Sequence, residues 1–160
     1  MNKKLILPIA IGIMVCLSMG FLAGQVTQMT VNSWYPTLNK PFFTPPGWLF
    51  APVWTLLYLL MGISVGRVWS YKIQNPQVKT SVYFFGLQLL LNGLWSMVFF
   101  GLKNPLGALV LIIGLLFLII KTIHQFSKID LLAARLLYPY LIWVCFATYL
   151  NGGIVFLNFL

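Results

Sequence analysis

The chain contains no glutamate, a single aspartate (Asp130) and a single histidine (His124). Paired carboxylates, a hydroxyl–His–Asp triad and a His/Cys/acid metal cluster are therefore out of reach, and with them most hydrolytic and acid–base chemistry. Charged residues of any kind make up only 7% of the 160 positions, whereas 61% are hydrophobic. That balance does not suit a soluble globular domain. No phosphate-binding loop is present, so ATP-driven transport would need a partner. Two cysteines, Cys16 and Cys145, both fall within apolar windows and read as small packing residues rather than a disulfide.

What is present is apolar chain in five charge-free windows: Leu5 to Met29, Pro41 to Gly66, Thr80 to Leu102, Asn104 to Ile120 and Leu136 to Leu160. A helix needs about 20 apolar residues to cross a bilayer, and Lys103 and Lys121 can snorkel to extend the short fourth window. The fold expected is all-α, an integral membrane bundle of five transmembrane helices forming one domain over residues 1–160. The helices are expected at about 5–27, 46–69, 80–102, 105–126 and 130–155, with a covering loop at 28–45. The first could be mistaken for a signal peptide, but its apolar run is too long and no cleavage site follows.

A net charge of +9 would ordinarily raise the question of nucleic acid. Here the basic residues are scattered between spans and set topology instead. Lys3, Lys4, Arg67, Lys72, Lys79, Lys121, Lys128 and Arg135 fall on the side of the N-terminus, and only Lys40 and Lys103 fall on the other. The positive-inside rule then puts the N-terminus in the cytoplasm and the C-terminus outside.

Aromatic and imino residues concentrate between Trp34 and Tyr58, WYPTLNKPFFTPPGWLFAPVWTLLY. Pro36, Pro41, Pro45 and Pro46 forbid a continuous helix there, yet the stretch is too aromatic for a solvated loop. It is expected to lie as a stiff cover on apolar surface and to turn into the second helix after Pro45-Pro46. Phe50, Trp54 and Tyr58, at i, i+4 and i+8, make one stripe on that helix. Trp34, Tyr35 and Trp48 fit either an interfacial aromatic belt or the lining of a site beneath the cover.

On the third helix Gln88, Asn92 and Trp95 share a face, and amides in hydrocarbon must find partners, either other helices or a polar ligand group. On the fifth, Pro139 is expected to kink the helix by freeing the carbonyl of Arg135. Beyond it Trp143, Ala147 and Leu150 share a face, with small Ala147 leaving a recess. Gly20-x-x-x-Gly24 and Gly62-x-x-x-Gly66 permit close approach of a neighbouring helix, or, at the first pair, of a ligand. At 1.5 Å per residue, Trp54 and Trp95 lie at similar depths, about 12 and 10 Å below the outer helix ends. Ala147 and Leu150 fall at comparable depth in the fifth helix, and these residues, with Asn92, can surround one aromatic cavity opening toward the cover, or the tryptophans simply fill the core. No ionisable residue sits mid-membrane, which argues against proton-coupled transport.

Three motifs carry a resemblance: Trp34-Tyr35-x-x-Leu38-x-Lys40-Pro41 with Pro45-Pro46-x-Trp48-x-x-Ala51-Pro52-x-Trp54-x-x-x-Tyr58; Gln88-Leu-x-Leu-Asn92-x-x-Trp95-x-x-x-Phe99-Phe100-Gly101; and Pro139-Tyr140-Leu141-x-Trp143-x-x-Phe146-Ala147-Thr148-x-Leu150-Asn151. In this order and spacing the chain resembles the translocator protein family, also called tryptophan-rich sensory proteins or peripheral-type benzodiazepine receptors, over nearly its whole length.

The resemblance implies a membrane receptor or sensor that binds tetrapyrroles (protoporphyrin, haem) and other flat hydrophobic ligands, such as sterols and benzodiazepine-type compounds, and regulates or transports them. It implies a ligand site at Gly24, Trp34, Tyr35, Phe50, Ala51, Trp54, Asn92, Trp95, Trp143, Phe146, Ala147 and Leu150. No cofactor is required; porphyrin or haem is the ligand, and with His124 at the inner end of the fourth helix, axial haem ligation in the pocket is not expected. The alternatives are a light- and oxygen-dependent porphyrin-degrading enzyme that uses the pocket tryptophans, and a sterol or porphyrin carrier. The family's C-terminal sterol motif needs a basic residue after a tyrosine, and no Lys or Arg follows Arg135. That departure points to a tetrapyrrole-handling protein of a bacterial cell membrane. Gly86 on the third helix and Gly107, Ala108 and Gly114 on the fourth suggest a homodimer seam.

Overall fold

The computed structural model describes residues 3–71 and 75–160. Lys72, counted above among the inner basic residues, lies outside them, as do the side chains of Lys3 and Lys4. The helices are α1 (Lys3–Gln28), α2 (Phe50–Trp69), α3 (Pro76–Ser96), α4 (Pro105–Ser127), α5 (Leu131–Arg135) and α6 (Tyr138–Phe159). They supply five apolar spans, Leu5–Gln28, Gly47–Trp69, Pro76–Gly101, Pro105–Ser127 and Leu131–Phe159, and make this a multi-pass integral membrane protein. Around the bundle α1 packs against α2 and α3, α4 against α3 and α6, and α5 and α6 close the ring onto α2.

Local chemistry sets the helix ends. Asn75 accepts a hydrogen bond from Gln77 N–H at 2.9 Å, and Pro76 occupies the first turn, so α3 starts four residues before the charge-free window does. Asn104 and Pro105 start α4 in the same way. Asp130 caps α5 by accepting from Ala133 N–H at 3.0 Å.

The fifth span differs from the single kinked helix expected at 130–155. Pro139 has no N–H to return to Arg135, and the α-helical ladder is interrupted at Leu136 and Leu137, a turn whose residues keep right-handed helical dihedrals, before α6 begins. The third span carries a second surprise. Its last turn, Met97–Gly101, is a π-helix closed by Leu102 N–H on Met97 O at 2.9 Å. The extra residue in that turn brings both Phe99 and Phe100 inside.

The α1–α2 seam is glycine against backbone. A Cβ on Gly62 would stand 2.6 Å from Ile13 N, and one on Gly66 2.7 Å from Ile9 N. Only hydrogen fits there, so the Gly62/Gly66 pair serves helix packing. Gly107 faces Val98 and the Asn104 side chain, Gly114 faces Leu91, and Ala108 is buried. The small residues of α4 are thus used inside the bundle, mostly against the third span. Of the four that suggested a dimer seam, only Gly86 has open space beside it.

Polar side chains are spent holding the spans together. Tyr58 donates to Asn92 Oδ1 (2.5 Å), Asn92 Nδ2 to Tyr140 Oη (3.1 Å), and Tyr140 to Gln88 Oε1 (2.8 Å), which ties α2, α3 and α6 into one buried relay. At the end of the bundle away from the cover Arg67 meets Asp130 at 2.8 Å and Ser64 donates to the carbonyl of Ala133 at 2.7 Å. Burial pushes the Asp130 carboxyl up, but hydrogen bonds from Ala133 N–H and Arg67, with the guanidinium charge, outweigh it and hold the group below 3.8.

Candidate functional site: an aromatic cavity under a latched cover

Toward the end of the bundle that carries the cover, α1 and α2 separate, and a cavity of about 490 Å³ fills the space between them and α3. Gly20 marks its floor, where a Cβ would run into the Tyr58 ring. One turn higher, a Cβ on Gly24 would meet nothing within 4 Å. Of the two glycines of the first motif, one therefore packs and the other borders empty space. The aromatic wall is formed by Phe50 and Trp54 from α2 and by Trp95 and Phe100 from the third span, with Trp54 and Trp95 ring centroids 6.4 Å apart. Ala51 and Asn92 complete the expected residues found here.

The other expected residues lie elsewhere. Ala147 and Leu150 border a second, much smaller void of about 20 Å³, together with Tyr35. Phe50, Trp95 and Phe100 line both spaces and form the partition between them. Trp143 stands behind Phe50, edge-on at 6.2 Å, and Phe146 packs on Trp143 at 5.7 Å; neither lines either space. Trp34 meets Phe99 edge-on at 5.9 Å and belongs to the packing of the cover. Trp48, 72% exposed, matches the belt role instead.

Most donors around the cavity are already committed. Asn92 is used by the two tyrosines, and Trp95 Nε1 donates to Asn151 Oδ1 at 3.1 Å. Thr27 and Ser96 hydroxyls share a hydrogen bond at 2.9 Å. Burial pushes the Tyr35 phenol up to about 12, so it remains a neutral group. Among the described residues no group of three or more metal-ligating side chains occurs. The space can therefore hold an apolar, aromatic-faced molecule, with exposed Gln25 and Gln28 as the amides at its edge.

Of α1, only the Gly20/Gly24 pair was expected near a ligand. Leu17, Phe21, Ala23, Gln25, Thr27 and Gln28 line the cavity as well. On a helix this apolar throughout, no face stands out by contrast.

The cover itself is anchored. Lys40 Nζ donates to the carbonyls of Tyr35, Pro36 and Leu38 at 3.0–3.1 Å and lies 5.2 Å over the Tyr35 ring, which staples the loop to itself. Tyr35 packs between Phe50, Phe99 and Phe100.

Comparison with known proteins agrees with the motif resemblance along the chain. Residues 12–157 match the TspO/MBR family. The chain is 42% identical to the tryptophan-rich protein TspO of Chlorobaculum tepidum, over 99% of each chain. It is 45% identical to the protein of that name from Archaeoglobus fulgidus, over 96% of this chain and 98% of the relative. With the human translocator protein it shares 36% identity over 89% of this chain and 85% of the other. With five apolar spans, the three tryptophan motifs and a match from the first span to the last, this chain belongs to the TspO/MBR family.

Proposed function

We propose that the protein is a membrane receptor or sensor that holds a tetrapyrrole such as protoporphyrin in the cavity between α1, α2 and α3. The observation that carries this reading is the cavity itself: a space in the size range of small-molecule sites, walled by Phe50, Trp54, Trp95 and Phe100, with uncharged amides at its edge. Flat aromatic faces favour a flat conjugated ligand over a flexible lipid chain, because stacking adds to simple burial. The family resemblance supplies the class of ligand. Trp54 and Trp95 border the cavity directly, while Trp143 acts on it only through Phe50.

Saturable quenching of tryptophan fluorescence by protoporphyrin, in protein reconstituted into lipid nanodiscs, tests the proposal. Trp54→Ala should weaken binding several-fold, since a stacked aromatic contributes about 0.5–1.5 kcal/mol beyond its buried area. Trp143→Ala should weaken it less. Unchanged affinity in Trp54→Ala and Trp95→Phe alike, with both variants folded, would remove the cavity as the site.

A second reading, light- and oxygen-dependent breakdown of the porphyrin, rests on the two neighbouring indoles of Trp54 and Trp95. Formation of one defined product over many turnovers, abolished by Trp54→Phe or Trp95→Phe, would favour it over binding. In either case the N-terminus and the inner loop around Asn75 are proposed to face the cytoplasm, and reporter fusions at the two positions should fall on the same side.

A further inference from the structure

The cavity has a floor, a roof and walls on most sides, but one side is open. Its floor is the Gly20–Tyr58 contact. Its roof is Val31, at the start of the cover, with Gly47 just beyond the cover's end, and the side-chain hydrogen bonds that tie the cover to other elements run to the third span and α6. Thr30 Oγ1 donates to Phe100 O at 3.0 Å. Asn39 and Asn158 exchange two hydrogen bonds, Asn39 N–H to Oδ1 at 2.9 Å and Nδ2 to Asn39 O at 2.8 Å. Tyr149 donates to Phe42 O at 3.1 Å, and Pro41 packs so closely on Gly153 that a Cβ there would lie 2.7 Å from the ring. Lifting the roof would break four hydrogen bonds and uncover buried Val31 and Tyr35.

The gap between α1 and α2 has no such closure. Above Gly20 the lining residues on its two edges, Phe21 and Gln25 on α1 and Ala51 and Thr55 on α2, are exposed, and space beside Gly24 is empty. These positions lie within the apolar spans, so the medium they face is lipid. We propose that this gap is a lateral mouth, through which a flat hydrophobic ligand passes between the cavity and the leaflet on the cover side while the cover stays shut. The inference rests on the binding reading above. It adds that the bilayer, where such a ligand concentrates by partition, is the source and the sink for the site.

The test is an order-of-addition experiment. In a Cys145→Ser background, with buried Cys16 left in place, Gln25→Cys/Thr55→Cys is reconstituted in phosphatidylcholine nanodiscs. Phe21→Cys/Ala51→Cys serves as a second mouth pair and Asn39→Cys/Asn158→Cys as the cover pair. Each is closed with a bifunctional maleimide, and protoporphyrin is delivered from phosphatidylcholine vesicles. Closing either mouth pair before loading should slow uptake by about tenfold or more, and closing it after loading should slow release equally. Closing the cover pair should leave both rates within about twofold of the uncrosslinked protein. Wild-type exchange rates through a closed mouth, or slowing by the cover cross-link, would overturn the lateral route. Loss of bound porphyrin whenever the linker is added after loading would mean that the linker only fills the site, and overturns it too. Wild-type protein that shows no saturable quenching rejects the binding reading itself, and the route with it; that failure is recognised before any cross-link is made.

Discussion

The same two helices, α1 and α2, meet in opposite ways at their two ends. In the half away from the cover Gly62 and Gly66 bring backbone onto backbone, and no side chain fits between. In the half beneath the cover the helices part, and Gly24 borders empty space. Glycine is therefore used twice, once to remove volume so that helices touch, and once where removal leaves a void for a ligand to fill. Lipid offers no hydrophobic drive to squeeze helices together, so contact has to come from close packing and polar bonds. The half away from the cover has both, with the Arg67–Asp130 pair beside the glycine seam. The two helices are thus held together at one end while the other stands open.

The contrast can be broken in order of expected effect. Gly66→Leu should be the most damaging change, because the obstacle is the backbone of Pro8 and Ile9, which cannot swing aside. A loss beyond about 3 kcal/mol is expected, at or above the usual cost of overpacking, and thermal unfolding in detergent would read it. Asp130→Asn comes next, at about 1–3 kcal/mol, for losing a charge-assisted pair while keeping a helix cap. Its pH dependence has a definite sign. The folded carboxyl titrates below 3.8, so its stabilisation is complete above that value and disappears as pH falls through the lower, folded one. Wild type should show a flat melting temperature from neutral pH down to about 5 and an acid limb below about 4, and Asp130→Asn should lose much of that limb.

In the middle of the bundle, Asn92→Leu removes the link between Tyr58 and Tyr140 and should cost about 1–2 kcal/mol, since hydrogen bonds between spans contribute less than burial alone suggests. The smallest effect should have the opposite sign. Gly24→Ala adds a Cβ into open space and improves helix propensity, so stability should rise by up to about 1 kcal/mol. A destabilising Gly24→Ala, or a tolerated Gly66→Leu, would show that the two ends do not differ as described.

The spans were legible because charge-free length is a coarse and robust signal, and α4 starts at Pro105 as expected; α3 starts at Pro76 rather than at about 80, because the Asn75 cap and Pro76 carry the helix past Lys79, where the charge-free window stops. Two features were not. The π-turn at Met97–Gly101 depends on how Phe99 and Phe100 pack, which no local pattern encodes. The break at Leu136–Leu137 depends on whether a proline bends a helix or ends it, a choice made by tertiary contacts. For the site, the tryptophan positions were readable as motifs and depth put Trp54 and Trp95 beside one space, but the exclusion of Trp143 from it was not readable. Depth alone put Trp95, Ala147 and Leu150 together, whereas the ring of helices sets the latter two behind the Phe50–Trp95–Phe100 partition. The amides were ambiguous for the same reason: Asn92 had a partner in Tyr58 and another in Tyr140, neither identifiable without the helix order.

The Lys40 staple makes that amine a chemical reporter. All three carbonyls that Nζ meets belong to the loop, so the nitrogen is turned inward, away from an approaching reagent, while the loop keeps its shape. Lys103, exposed on the same side of the membrane in the turn before α4, offers an internal standard for reagent access. Acylation by a membrane-impermeant ester should therefore be slow at Lys40 and fast at Lys103, and the ratio of the two rates would follow the folding state of the loop, peptide by peptide, in intact membranes.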